Sequence, residues 1–282
     1  MKVLVLGAAG MAGHVIALYF KEKGHEVTGF VTRPISFCNY IIGDARDIKS
    51  LKKILLEGEY DAVINCIGVL NQFAESNPSS AIFLNSYLPH FVTETLKDTK
   101  TKFIQMSTDC VFAGNAGPYY EDSLQDGRTF YDRTKALGEV NNSKTLTFRN
   151  SIIGPDIKEN GIGLFNWFMK QSGTINGFTG AIWTGVTTLI LAKAMKRALE
   201  VNLTGLYNLV NNDSINKFEL LRLFNKYFRN DKLTILPSDK LQLDKTLKCT
   251  RTDFDFIVPS YEQMIIEMKE WVDAHKELYP TY

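Results

Sequence analysis

The sequence predicts a doubly wound α/β fold, a parallel sheet with helices on both faces, followed by a smaller C-terminal lobe. Three observations predict it. Short apolar runs alternate with helical patterns through the first 150 residues. The first of these runs breaks into the glycine-bearing turn Gly7-Ala8-Ala9-Gly10-Met11-Ala12-Gly13. After Arg149 the rhythm gives way to Gly154-Pro155, Asn160-Gly161-Ile162-Gly163 and the stretch from Gly173 to Gly180, which read as loops.

The elements follow in order. Met1 to Leu6 is an apolar run suited to a strand buried on both faces. Met11 to Lys23 reads as a helix stopped by Gly24, Glu26 to Val31 as a strand, and Tyr40 to Ile42 as a short third strand. Ile48 to Glu57 is helical, Asp61 to Asn65 a strand, Pro78 to Lys97 mostly helix and Lys102 to Met106 a strand. Thr129 to Asn141 should be helical and Leu146 to Arg149 a strand. Beyond them, Thr187 to Glu200, Lys217 to Arg229 and Tyr261 to His275 read as helices, and Gly205 to Val210 as a strand. This divides the chain into residues 1–150 and a lobe of residues 151–282, with 181–210 expected to return to the sheet.

Bulk properties exclude several classes. An apolar fraction of 45 % and a charged fraction of 22 % over 282 residues are ordinary for a soluble globular protein. Lys and Arg total 32 against 31 Asp and Glu, so no global field favours nucleic acid or an anionic membrane. The four cysteines, Cys38, Cys66, Cys110 and Cys249, show neither CxxC pairing nor metal-finger spacing, so no metal is expected. Reduced, packed thiols suit a cytoplasmic setting. The N-terminal apolar run is too short for a signal peptide, and nothing approaches the roughly 20 apolar residues of a membrane span.

Gly7, Gly10 and Gly13 form a GxxGxxG turn between the first strand and the first helix. Gly7 permits the tight turn, Gly10 lets a pyrophosphate approach the helix N-terminus beside Met11 and Ala12, and Gly13 lets the helix pack on the sheet. Residues 1–150 therefore read as a dinucleotide-binding unit. The second strand ends in Gly29-Phe30-Val31-Thr32-Arg33, with no carboxylate for a ribose 2′-OH. Arg33 suits a 2′-phosphate and Thr32 can add a hydrogen bond, which favours NADPH while leaving NADH open. Asp44-Ala45, after the third strand, can meet an adenine edge; Asp44 is equally a turn residue or helix cap. Cys66-Ile67-Gly68 should pass near the middle of the cofactor.

Tyr131 and Lys135 stand four residues apart in a helical segment, on one face. A free phenol has a pKa of about 10. A nearby ammonium is expected to lower it, so that the phenol exchanges a proton with a carbonyl or alcohol near neutral pH. Lys135 can also hold the nicotinamide ribose. Ser107-Thr108-Asp109 ends a strand at the ligand-binding edge, and a hydroxyl there, Thr108 before Ser107, can orient the reacting carbonyl oxygen. The bland alternatives are a solvated helix face for the pair and a capping cluster for the triplet.

Together these stretches, with Asn85, Val111-Phe112, Gly138-Glu139, Phe148-Arg149-Asn150-Ser151 and Gly205-Leu206-Tyr207, resemble the extended short-chain dehydrogenase/reductase family, in its dTDP-4-dehydrorhamnose reductase branch. The resemblance implies a Rossmann-like sheet with a substrate lobe and a 4-keto-6-deoxy nucleotide sugar reduced at C4, a chemistry of polysaccharide biosynthesis. It makes Tyr131 the proton donor, Lys135 its partner, and Thr108 and Asp109 substrate contacts. It places the cofactor against Gly10, Met11, Ala12, Asp44, Ala45 and Cys66 to Gly68. A homodimer is compatible with it. The chain departs from the branch in four places. Cys110 replaces a tyrosine, and Ile152 stands where a tryptophan is usual, with Trp183 a candidate substitute. The ribose-binding acid is absent, and the run Lys245 to Arg251 lacks the branch's Arg-Pro pair. Lys245, Lys248 or Arg251 is expected at the substrate diphosphate on charge alone. Two rivals are a nucleotide-sugar epimerase or dehydratase, and a non-catalytic relative such as the regulatory subunit of methionine adenosyltransferase.

Overall fold

The computed structural model describes residues 1–280 and 282. The first half alternates as the apolar runs require. It runs β1 (Lys2–Leu6), α1 (Met11–Glu22), β2 (Glu26–Val31), β3 (Asn39–Ile42), α2 (Ile48–Glu57), β4 (Ala62–Asn65), α3 (Asn71–Ser76), α4 (Pro78–Ala81), a π-helical turn (Ile82–Tyr87), α5 (Leu88–Leu96), β5 (Lys102–Met106), a 3₁₀ turn (Asp109–Val111), α6 (Phe130–Leu137) and β6 (Thr145–Arg149). The second half holds β7 (Ser151–Ile153), α7 (Leu164–Met169), β8 (Thr174–Phe178), β9 (Ala181–Trp183), β10 (Gly185–Thr187), α8 (Thr188–Val201), β11 (Gly205–Asn208), β12 (Ile215–Asn216), α9 (Lys217–Arg229), β13 (Thr234–Ser238), β14 (Leu243–Asp244) and α10 (Tyr261–Ala274).

Seven parallel strands form the main sheet in the order β11-β6-β5-β4-β1-β2-β3. Side chains alternate across it, and the central strands β1, β2, β4 and β5 feed two cores. Val3 and Val5 enter a core with Val15, Ile16 and Phe20 of α1 and Leu191 and Met195 of α8. Leu4 and Leu6 enter the other, with Leu51 and Leu55 of α2 and Leu88 and Val92 of α5. The first core continues into Phe165, Phe168, Leu220, Phe224 and Met268, so the C-terminal helices share it. β11 lies at the sheet edge beside β6.

Several expectations need correction. The stretch from Gly173 to Gly180 contains β8, which pairs in parallel with β13; neither strand was expected. α7 was also missed, because six residues carry too little periodicity. The helix expected to run to Asn141 ends at Leu137, with Gly138 as its cap. A Cβ at Gly138 would lie 1.8 Å from the Asn85 carbonyl oxygen, so the chain turns there against the neighbouring helix. The helix from Pro78 widens into the π turn around Asn85. The Asn85 carboxamide donates to the Val69 carbonyl (2.9 Å) and the Thr134 hydroxyl (3.1 Å), and accepts from the Val69 N–H (2.8 Å). It thereby ties α6 to the loop after β4.

Two polar links cross the molecule. Arg149, at the end of β6, makes a bidentate pair with Glu139 (Nε–Oε1 2.8 Å, Nη2–Oε2 2.6 Å), and the side chains are only 1 % and 6 % exposed. Gln125 and Ser107 also donate to that carboxylate. At the opposite end, buried His14 of α1 meets the Gly10 carbonyl through Nδ1 (2.9 Å) and the Tyr279 hydroxyl through Nε2 (2.7 Å). Trp271 of α10 donates to the same hydroxyl (3.1 Å).

Removing one partner of the buried pair strands the other's charge. Arg149→Met should therefore cost on the order of 3–5 kcal/mol in urea unfolding; a loss below about 1 kcal/mol would contradict that account. Burial lowers the His14 imidazole from 6.5 to about 4. Its contribution is fully present above the unfolded value and is lost as pH falls from about 6.5 toward 4, where the unfolded chain takes up the proton first, on the order of 3 kcal/mol in all. Urea midpoints measured between pH 7.5 and 4.5 should show this acid-limb loss in the wild type, reduced in His14→Gln.

Candidate active site

The carboxyl edge of the parallel strands gathers most of the predicted residues, as such sheets require. At β1 the turn is tight: Gly7 has φ +79° and its N–H donates to the Phe30 carbonyl (2.9 Å). A Cβ at Gly13 would lie 2.2 Å from the Gly7 carbonyl oxygen, so only glycine lets α1 start this close to the sheet. Gly10 caps α1 without a side-chain bond, leaving Met11 and Ala12 at a helix N-terminus suited to a pyrophosphate. Donors, dipole and cleared space fit a dinucleotide. Ile67 lies against Gly7, 3.0 Å from where a Cβ there would stand, so Cys66-Ile67-Gly68 borders the same cradle.

The adenosine end is more open. Thr32 and Arg33 are exposed just beyond β2. Burial pushes the Asp156 carboxyl up, while its bond from the Lys158 N–H and the charges of Lys158 and Arg33 pull it back, which sets Arg33 across from the loop after β7. The Asp44 carboxylate is engaged by Arg46 (Nη2–Oδ2 2.6 Å, Nε–Oδ1 3.0 Å), whose hydrogen bonds hold it below the usual range. Asp44 does not cap α2; Asp47 does, accepting from the Ser50 N–H (3.1 Å). Ala45 is buried beside it.

The catalytic candidates sit at the ends of β5 and β6. The capping box of Thr129 and Asp132 starts α6 and sets Tyr131 and Lys135 one turn apart, both buried. The Lys135 ammonium donates to the Met106 carbonyl (2.7 Å) at the end of β5. The Thr108 side chain lies near the Tyr131 phenol and acts to lower its pKa against burial. It also bonds Asp109 Oδ1 (3.2 Å) and receives the Cys110 N–H (3.2 Å). Ser107 is turned to another task, since its hydroxyl donates to Glu139 Oε1 at 2.5 Å.

The electrostatics reverse one expectation. The phenol of Tyr131 is not lowered: burial drives its pKa well above the ordinary value, and the nearby Cys110 adds to the effect. Burial pushes Lys135 down to about 8, against the pull of Glu139 and Cys66. At neutral pH the phenol is therefore protonated, the form that donates, and Lys135 remains mainly an ammonium.

The basic C-terminal run also divides differently than expected. Arg251 binds Asp253 (Nη2–Oδ2 2.5 Å) and the carbonyls of Thr204 (2.7 Å) and Leu206 (2.9 Å), which makes it a brace for β11. Lys248 donates to the Asn212 carbonyl. Of the three, Lys245 alone acts on the site, where its charge lowers the Cys110 thiol against the burial that lifts it to about 12. Trp183 is buried in β9, while Ile152 is half-buried in β7. Lys217 was overlooked: at the first position of α9 it reads as a solvated charge, but its ammonium lies 5.2 Å from the Trp183 ring centroid. Only the pairing of β12 with β9 reveals that placement.

The comparisons agree with this architecture. The chain is 32 % identical over 143 residues to a probable low-salt glycan biosynthesis reductase, Agl14, of Haloferax volcanii; the match covers 49 % of this chain and 48 % of that protein. It is 24 % identical over 236 residues to methionine adenosyltransferase 2 subunit beta of Xenopus laevis, covering 78 % and 70 %. A dTDP-4-dehydrorhamnose reductase from Bacillus anthracis, solved in complex with NADP, superposes with a TM-score of 0.80 at 20 % identity, covering 95 % of this chain and 99 % of that one. At that identity the likeness establishes the fold. Residues 1–268 match the model of the family described as RmlD substrate binding domain, so the chain belongs to that family, as the motifs of its glycine turn and tyrosine helix anticipate.

Proposed function

We propose that the chain is an NADPH-dependent reductase of a nucleotide-linked 4-keto-6-deoxy sugar. The observation that carries this reading is the burial of Thr108, Tyr131 and Lys135 together at the carboxyl edge of the sheet, with the Lys135 ammonium anchored on the Met106 carbonyl (2.7 Å). In this reading residues 1–150 hold the cofactor, and residues 151–282 mainly hold the substrate, except where β11 completes the sheet. A homodimer and a reducing cytoplasm belong to the same proposal; among the described residues no helix is long and apolar enough to cross a membrane.

A nicotinamide cofactor bound along Gly7 to Gly13 and Cys66 to Gly68 would supply the hydride. The chain's own part is the proton. Thr108 orients the ketone oxygen, Asp109 meets the sugar, and Tyr131 gives its proton to the oxygen as negative charge develops there. The phenolate left behind draws on the Lys135 ammonium until solvent restores the proton. The phenol is protonated at neutral pH, the state this direction requires. Arg33 and Thr32 would take the 2′-phosphate, and Ala45, the backbone at Asp44 and the helix N-terminus at Met11 and Ala12 would border the remaining nucleotide.

The alignment with methionine adenosyltransferase 2 subunit beta over 78 % of the chain favours a second reading, a binding subunit without turnover. Consumption of NADPH with a 4-keto-6-deoxy nucleotide sugar separates the two, and net consumption also separates a reductase from an epimerase.

Tyr131→Phe should lower kcat by roughly 10²–10⁴-fold with the NADPH dissociation constant unchanged within about twofold. Wild-type turnover in that variant would remove the assigned proton donor. Arg33→Ala should reduce kcat/KM for NADPH about tenfold and leave the value for NADH nearly constant. Equal effects on both cofactors would dismiss Arg33 as a phosphate reader.

A further inference from the structure

The small sheet β12–β9–β14 turns two lysines toward the active site. Asn216 of β12 pairs antiparallel with Ile182, and Asp244 of β14 pairs in parallel with the same residue. Lys217 and Lys245 each follow a partner of Ile182. Strand alternation therefore sets both on the face that carries Trp183. The Lys217 ammonium lies 5.2 Å from the Trp183 ring centroid. Lys245 packs its stem against Gly114, where a Cβ would stand 2.8 Å from its Cγ, and the Asp244 N–H donates to the Gly114 carbonyl (3.0 Å). This pins the strand to the loop that follows Cys110. Both charges act on Cys110, and Lys217 also feels Asp109. The lysines thus face the edge that bears Thr108, Asp109 and Tyr131.

Neither lysine has an ion-pair partner among the described residues. For Lys217, half-buried beside that ring, this is costly, since burial pushes its ammonium down to about 8. A cation–π contact offsets only part of the cost of taking an ammonium out of water. The stacking on Trp183 does not by itself explain a charge kept there. An anion of the ligand does.

We propose that Lys217 and Lys245 together grip the diphosphate of the nucleotide-linked substrate, in the place first assigned to the whole basic run from Lys245 to Arg251. This rests on the nucleotide-sugar reading above and is tested apart from turnover. Isothermal titration with dTDP and with UDP should give at least about tenfold weaker binding in both Lys217→Met and Lys245→Met, with Lys217→Arg within about threefold of wild type. The NADPH dissociation constant should stay constant in all three, which also reports folding. Lys53→Met, on exposed α2, should bind as wild type does. Inorganic diphosphate should compete with dTDP or UDP for the wild-type protein.

Unchanged dTDP and UDP binding in both methionine variants overturns the proposal, as does an equal loss in Lys53→Met. Failure of inorganic diphosphate to compete also overturns it, and that arm needs no variant to fold. Lysine-dependent dTDP or UDP binding without reduction of any keto-sugar would sink the reductase reading alone. Reduction with unaltered nucleotide binding in the variants would sink the grip alone.

Discussion

The pair between Arg149 and Glu139 is the constraint on which the active edge depends. An ion pair this deep survives only if nearly every donor and acceptor is matched. Here the guanidinium spans both carboxylate oxygens, reaches the Tyr120 and Glu121 carbonyls (3.2 and 3.4 Å) and lies over the Phe112 ring, 5.0 Å from its centroid. Glu139 in turn takes the Ser107 hydroxyl. One satisfied network therefore joins the end of β6, the end of β5, the chain just past α6 and the loop after the 3₁₀ turn. Those are the segments that must hold still for Thr108, Tyr131 and Lys135 to keep their geometry. Ser107, next to Thr108, serves that rigidity.

Burial around the site has a chemical effect as well as a structural one. It raises the phenol and lowers the ammonium, so the pair rests as a neutral phenol beside an ammonium whose pKa is only about 8, instead of a preformed phenolate and ammonium. In the proposed reaction negative charge appears on the phenol oxygen only as the proton leaves. Dipoles and cations fixed around a water-poor site act most strongly on charge that arises during the reaction, which is where stabilisation accelerates a step.

Much of this was legible before the fold was seen. The alternation of runs such as Lys2–Leu6 and Lys102–Met106 with helices betrays a parallel sheet, because strands buried on both faces leave little choice of residue. The glycines at 7, 10 and 13 announce their turn because no other residue fits it. What sequence concealed was set by distant partners. β8 and β13 are ordinary in pattern and become strands only because they meet across an intervening stretch that includes two helices. Asp44 looks free until Arg46 folds back on it, and Arg251 looks like a ligand arm until Asp253 and two carbonyls claim it. Tyr131 lies buried with Lys135 one turn on, but its acidity runs opposite to the expectation, since spacing records a neighbour and says nothing of how much water both have lost.

The contact from His14 to Tyr279 bridges 265 positions. Its imidazole also touches Gly10, so during synthesis the loop after β1 waits for Tyr279 before its brace is in place. The early strands can pair while this corner is still loose. A stop between α10 and residue 279 would spare every residue of the tyrosine helix and still leave the glycine turn without its clasp.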